Sequence, residues 1–274
     1  MRVLVTGGSG GLGRYVSRAL FARDATVMAP QHEDLDITRL DDLRAYVESV
    51  KPTAVVHLAA IANVDRCAER PEEAVAVNGV ATYRLASICR RFKVPLVYMS
   101  TNDVFSECRD GPFSESRAPA PGMAYSWSKY LGEVAVVEAG GLAVRANFFT
   151  RHCRAKQSFA AYVLECARGD RPLLCHSNVL ATPVYAGTLA ERLVEALCAE
   201  VTGVLHVASS DAVNRAQQAR LICAAYGLPA EKVTPRPLED RRGRPLDARL
   251  TSERGGLAGT VQEEVMKMAK EEPL

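Results

Sequence analysis

Val3-Leu4-Val5-Thr6-Gly7-Gly8-Ser9-Gly10-Gly11-Leu12-Gly13-Arg14-Tyr15-Val16 is the stretch on which the reading of this chain turns. The apolar run from Met1 to Thr6 has the character of a buried parallel strand, and Arg14 to Phe21 follows a helical pattern. Between them stand three glycines at three-residue spacing. Gly7 lets the chain turn sharply out of the strand, Gly10 lets backbone approach a pyrophosphate, and Gly13 lets the helix pack tightly on the sheet. Ser9, Gly11 and Leu12 complete the turn. The helix N-terminus beyond it offers unpaired N–H groups and a partial positive charge, so a dinucleotide is the expected ligand.

A second signature, Tyr125-Ser126-Trp127-Ser128-Lys129, places a phenol and an ammonium four residues apart, on one face of a helix. A free phenol titrates near pH 10, and a neighbouring ammonium is expected to bring it down toward the working range. That makes Tyr125 a candidate proton donor to a substrate oxygen.

Strand and helix patterns alternate through the first half of the chain, as in a parallel sheet covered on both faces. Ala25 to Met28 is expected as the second strand. Thr38 is expected to cap a helix whose Leu40, Leu43, Val47 and Val50 share a face, ended by Lys51-Pro52. A strand from Ala54 to Leu58, a long helix from Pro71 to about Arg91 and a strand from Val94 to Ser100 follow. A Pro/Gly/Ser-rich loop from Glu107 to Met123 leads into the helix carrying Tyr125 and Lys129, and Gly141 to Phe148 is the next strand. The expected fold is α/β, a Rossmann-type doubly wound parallel sheet with a smaller C-terminal substrate-binding lobe. Residues 1–150 form the NAD(P)-binding domain and 151–274 the lobe, partly interwoven with it, since Thr182 to Ala186 has the pattern of a strand returning to the sheet. Glu263 to Glu272 is expected to be an amphipathic or frayed terminal helix with solvated charges.

These residues resemble the extended short-chain dehydrogenases/reductases, and within them the dTDP-4-dehydrorhamnose reductase group. The likeness runs through most of the chain: Leu35-Asp36-Ile37-Thr38, Val55-Val56-His57-Leu58-Ala59-Ala60, Val64-Asp65, Pro71-Glu72 with Ala74, Val77 and Asn78, and Tyr98 to Phe105 with Gly111 to Glu115. Ala181 to Ala186, Gly203 to Val207 and Arg244 to Asp247 continue it. The resemblance implies that Asp36 and Ile37 lie beside the adenine and that Ala59 and Ala60 contact the cofactor. It also implies that Thr101 orients a substrate carbonyl, that Tyr125 gives the proton, and that Lys129 bonds the nicotinamide ribose while holding down the Tyr125 pKa. The group commonly has Asp-Tyr where this chain has Asn102-Asp103, Trp where Phe148 stands, and Glu at the place of Ala68. Asn102, Asp103 and Phe148 are therefore the residues expected on the sugar side.

The implied reaction is reduction of a keto group on a nucleotide-linked deoxysugar with NAD(P)H. The alternatives are an epimerase or dehydratase, a reductase of a non-sugar carbonyl, and a non-catalytic NADP-binding regulatory subunit. The second strand ends in Ala29-Pro30-Gln31-His32, with no carboxylate where a 2′-hydroxyl is usually bound, and Arg14 adjoins the Gly-rich turn. NADP(H) is expected ahead of NAD(H), with Glu33 and Asp34 near enough to reach round.

A chain of 274 residues with 48% hydrophobic residues can bury a full core, and a formal net charge of +2 gives no footprint for nucleic acid or a membrane surface. No apolar stretch reaches the length of a membrane span, and the first strand begins at once, so a cytoplasmic protein is expected. A homodimer is possible, without an interface signature. Eight cysteines include no Cys-x-x-Cys pair, and the neighbours His152-Cys153 and Cys175-His176 would point apart on a strand, so no metal site is expected.

Overall fold

The computed structural model describes residues 1–152, 157–169, 171–239 and 243–274. Among these residues, six parallel strands form the central sheet in the order β10-β5-β4-β3-β1-β2: β1 (Arg2–Thr6), β2 (Thr26–Met28), β3 (Ala54–His57), β4 (Leu96–Met99), β5 (Leu142–Arg145) and β10 (Gly203–His206). Helices α1 (Gly13–Phe21) and α8 (Ala186–Cys198) cover one face. The other is covered by α2 (Leu40–Val50) and α5 (Thr82–Phe92), with α6 (Ala124–Glu138) packed beside α5. The two-residue period of a strand sorts the side chains: Val3 and Val5 enter the first core, and Leu4 enters the second. Strands buried on both faces read as near-continuous apolar runs.

Between β3 and β4 the chain forms α3 (Val64–Glu69) and α4 (Pro71–Ala74), and α4 continues through a π-helical stretch, Val75–Ala81, into α5. The expected helix from Pro71 is therefore one rod with a wide turn inside it. The elements of the substrate side are β6 (Phe148–Phe149), α7 (Phe159–Arg168), β7 (Leu173–His176), β8 (Leu180–Ala181), β9 (Val184–Tyr185), β11 (Val213–Asn214), α9 (Arg215–Ala225), β12 (Val233–Arg236), β13 (Asp247–Ala248) and the last helix α10 (Val261–Glu271).

Three local expectations are corrected. Thr38 does not cap α2: Arg39 occupies the N-cap without a side-chain bond, because the Thr38 hydroxyl and N–H are both spent on Asp36 Oδ1 at 2.7 and 2.9 Å. Thr182 to Ala186 does not return to the main sheet. Its β9 pairs with β6, and the strand that returns is β10, beside β5. The charged C-terminus is not a fully solvated face. Glu272 is 3% exposed and accepts the hydroxyls of Tyr15 and, at 2.8 Å, Tyr185. Glu264 accepts the Tyr185 N–H at 2.9 Å.

The deepest charges lie under the sheet's C-terminal end. Arg145 on β5 donates its Nε to both Glu133 oxygens at 3.1 and 3.0 Å, and its Nη2 also reaches Oε1, with both side chains at most 3% exposed. Ser100 Oγ donates to Glu133 Oε2 at 2.6 Å, and the guanidinium lies over the Phe105 ring at 5.0 Å. A buried pair of this kind is costly to break, because the surviving charge has no water. Glu133→Ala should lower unfolding stability by about 3–5 kcal/mol in a urea titration, and a loss under about 1 kcal/mol would contradict the arrangement.

Candidate active site

The Gly-rich turn is built by close backbone approaches. Gly7 has φ +71°, and a Cβ there would stand 2.6 Å from Ala59 N, so the ends of β1 and β3 meet where the sequence put Gly7 and Ala59. A Cβ on Gly8 would lie 2.7 Å from the Ala29 Cβ at the end of β2. A Cβ on Gly13 would lie 2.2 Å from Gly8 O, so Gly13 lets the turn close on itself, where packing of helix on sheet had been the expected reason. The Gly10 N–H returns to Gly7 O at 3.0 Å. Leu12 is the N-cap of α1, with no side-chain cap and no acidic residue in the first turn, which leaves the helix N-terminus suited to an anion. The cradle thus fits a dinucleotide pyrophosphate in shape and in charge. Ala60 follows Ala59 in a half-buried loop, Ser9 is exposed, and the Ile37 side chain belongs to the core. The Asp36 carboxylate is held below its usual range by the Thr38 bonds, and Asp34 Oδ2 accepts the Gln31 N–H at 3.1 Å.

The second half of the site forms where β4 ends. Thr101, 5% exposed, caps a single 3-10 turn (Asn102–Phe105) by accepting the Asp103 N–H at 3.1 Å. Tyr125 is the second residue of α6, and Lys129 follows one turn later. Lys129 Nζ donates to Met99 O at 2.7 Å and sits 4.1 Å from the Tyr98 ring centre. Burial pulls its pKa down to about 7, with Glu133 opposing.

The expected lowering of the Tyr125 pKa is not found. Burial pushes the phenol up, the Asp103 carboxylate adds to this, and the Thr101 hydroxyl alongside works the other way. Lys129 is not among the groups that act on the phenol, and its ammonium donates to the Met99 carbonyl. Tyr125 is therefore firmly protonated at neutral pH.

On the sugar side, Asn102 is 3% exposed and its amide donates to Ala248 O at 3.4 Å, so it ties the turn to β13. Asp103 is half-buried, and its pKa is raised to about 6 by burial against the opposing fields of Arg215 and Arg244. Arg215 lies over the Phe159 ring at 4.9 Å and donates to Gln218 Oε1 at 2.8 Å. Arg244 reaches Asp65 on α3 at 3.1 Å. Phe148 opens β6 with 36% exposure.

His57 and Asn78 entered the sequence reading only as part of the resemblance, and their roles come from the fold. His57 is fully buried between the hydroxyls of Thr6 at 2.5 Å and Thr82 at 2.9 Å, and its pKa falls to about 3 through burial and then Lys129. Asn78 fixes the loop after β3 through Ile61 N at 2.8 Å and Ile61 O at 3.0 Å, and reaches α6 at Ser128 Oγ, 2.9 Å away. Among the described residues no group of three or more His, Cys, Asp or Glu is placed to hold a metal ion, and no helix is long and apolar enough to cross a membrane. Cys153 lies outside the described residues.

The family model described as the RmlD substrate binding domain matches residues 1–269. The chain is 31% identical to a dTDP-4-dehydrorhamnose reductase of Mycolicibacterium smegmatis, over 94% of this chain and 80% of that protein. It is 32% identical to a probable low-salt glycan biosynthesis reductase of Haloferax volcanii, over 83% and 81% of the two chains. A crystal structure of a dTDP-4-dehydrorhamnose reductase from Bacillus anthracis in complex with NADP superposes with a TM-score of 0.91 at 22% identity, covering 99% of each chain, and shows the same fold.

Proposed function

This chain belongs to the RmlD substrate binding domain family, and from that premise we propose that it is an NADP(H)-dependent ketoreductase of a nucleotide-linked deoxyhexose, of the extended short-chain dehydrogenase/reductase type. The observation that carries the reading is the convergence of Thr101, Tyr125 and Lys129 at the end of β4, within the same sheet edge as the glycine cradle of β1. The names of the two relatives, both reductases, support the substrate and reaction class.

Gly7, Ser9, Gly10, Gly11, Leu12 and Gly13 would hold the pyrophosphate, with Asp36, Ile37, Ala59 and Ala60 along the rest of the cofactor. NADP(H) supplies the hydride when bound. Tyr125, kept protonated by burial, gives its proton to the oxygen of the carbonyl being reduced, and Thr101 orients that oxygen. Lys129, one turn beyond Tyr125 on α6, would hydrogen-bond the nicotinamide ribose. Preference for NADP(H) over NAD(H) is supported by Ala29, Pro30, Gln31 and His32 at the end of β2, by the local engagement of Asp34 and Asp36, and by the exposed Arg14. The Bacillus anthracis structure holds NADP. Residues 1–150 would carry the cofactor, and 151–274 the substrate lobe.

For the homodimer, the candidate face is that of α5 and α6, where Tyr83, Leu131 and Val134 are exposed around a shallow apolar groove flanked by Arg90 and Glu138. Light scattering should give a dimer that Leu131→Glu converts to a monomer; a monomeric parent would remove this surface from the account.

The reaction itself is tested by following reduced nicotinamide absorbance with dTDP-4-keto-6-deoxyglucose, using NADPH and NADH in turn. Oxidation should require the sugar and favour NADPH. Tyr125→Phe should keep NADPH affinity and lose turnover by about 10²–10⁴-fold; retained turnover would take Tyr125 out of the proton-donor role.

A further inference from the structure

Arg215 opens α9, half-buried, with its guanidinium held on two sides. Its guanidinium carbon lies 4.9 Å from the centre of the Phe159 ring, the first residue of α7, and Nη1 donates to Gln218 Oε1 at 2.8 Å, one turn along α9. Among the described residues no other N–H of this guanidinium has an acceptor and no carboxylate is paired with it; Asp103 acts on it only through its field. Gln218 is 1% exposed, and its Nε2 is buried without an acceptor. Nε2 and Oε1 share one carbon, so this unused donor lies beside the guanidinium.

A desolvated cation without an anion is costly, and so is a buried donor without an acceptor. One oxyanion satisfies both, and the planar fork of a guanidinium matches phosphate in particular. The positive end of α9 adds to the attraction. The three-stranded sheet β11-β8-β13 fixes where this group stands. Asn102, in the turn that Thr101 caps, donates to Ala248 O of β13 at 3.4 Å. Ala248 is opposite Ala181 of β8, Ala181 is opposite Val213 of β11, and Arg215 follows β11 directly. Two strand spacings, about 10 Å, thus separate the strand that meets the catalytic turn from the strand that leads into Arg215. In a nucleotide-linked hexose the ring and the glycosidic oxygen set the diphosphate at a comparable distance from C4.

We propose that Arg215, braced by Phe159 and Gln218, binds the diphosphate of the nucleotide-linked sugar, with Gln218 Nε2 as a second donor to it. The inference deepens the ketoreductase reading above and rests on it for the identity of the ligand. It makes Arg215 and Gln218 substrate-binding residues of the C-terminal lobe, apart from the groups that act on the carbonyl.

The test measures binding of dTDP and of thymidine by calorimetry with NADPH saturating, so that the glycine cradle is already filled, for the parent, Arg215→Met and Gln218→Leu. The parent should bind dTDP. Arg215→Met should weaken dTDP by about 10–100-fold and Gln218→Leu by about 3–10-fold, with thymidine and NADPH affinities unchanged. Without ligand, Arg215→Met should melt no lower than the parent, because it removes a charge that has no ion-pair partner. A parent that does not bind dTDP would overturn the proposal, as would Arg215→Met binding it as tightly as the parent. Equal losses of dTDP and thymidine would also overturn it, since they mark a collapsed pocket. Turnover is read separately: dTDP held through Arg215 by a protein that does not oxidise NADPH with dTDP-4-keto-6-deoxyglucose keeps this site and overturns the ketoreductase reading.

Discussion

The buried ion pair of Arg145 and Glu133 fixes the geometry on which the site depends. The carboxylate sits on α6 two turns beyond Tyr125 and one beyond Lys129, and the guanidinium on β5. Held in two-point contact and bonded by Ser100 from the end of β4, Glu133 sets the rotation and height of α6 over the sheet. Arg145 Nη1 also meets His206 Nε2 on β10 at 3.2 Å, and His206 Nδ1 faces Thr251 O at 2.9 Å, which extends the network into the C-terminal region. One ionic contact thereby registers α6 against three strands, and Thr101 and Tyr125 arrive side by side as a consequence. Two desolvated charges add little net stability, but their directional bonding admits few alternative registers.

A second constraint acts on the first helix. Tyr15, immediately beyond the Gly-rich turn, gives its hydroxyl to Glu272, close to the chain end, and lies within 2.5 Å of Thr150 Oγ1. Tyr185 shares Glu272, and Tyr226 OH donates to the Glu272 backbone oxygen at 2.9 Å. Burial and the Glu272 carboxylate push the Tyr15 phenol up to about 12, so the clasp stays protonated and bonded across the neutral range. The helix that supplies the cradle's positive end is thus tied to β6, β9, α9 and the C-terminus together. Displacement of the substrate-side elements is opposed at the cofactor turn.

Sequence alone made the strand, turn and helix at the start legible, because Gly7 and Gly13 there answer backbone distances that no Cβ tolerates. Tyr125 and Lys129 were legible from helical spacing. Their electrostatics were not, since spacing says nothing of burial or of the Met99 carbonyl that occupies Lys129. Thr38 failed as a cap because Asp36, two residues earlier, offered its hydroxyl a nearer partner. The role of β9 was misread because a two-residue strand carries no mark of which strand it joins. Glu272 looked solvated because its partners, Tyr15 and Tyr185, are 257 and 87 residues away. Glu133 and Arg145 left no signal for the same reason: a buried charge is recognised by its partner, and the partner is set by the fold.

Direct observation of the transferred hydrogen tests the central claim most closely. A single turnover with NADPH carrying deuterium at the nicotinamide C4, on dTDP-4-keto-6-deoxyglucose, would be read by NMR of the sugar product. The account predicts one deuterium on sugar C4, in a single configuration and in proportion to the cofactor oxidised. Cofactor oxidation with no deuterium on the sugar, or turnover that leaves the deuterium on the cofactor, would contradict it.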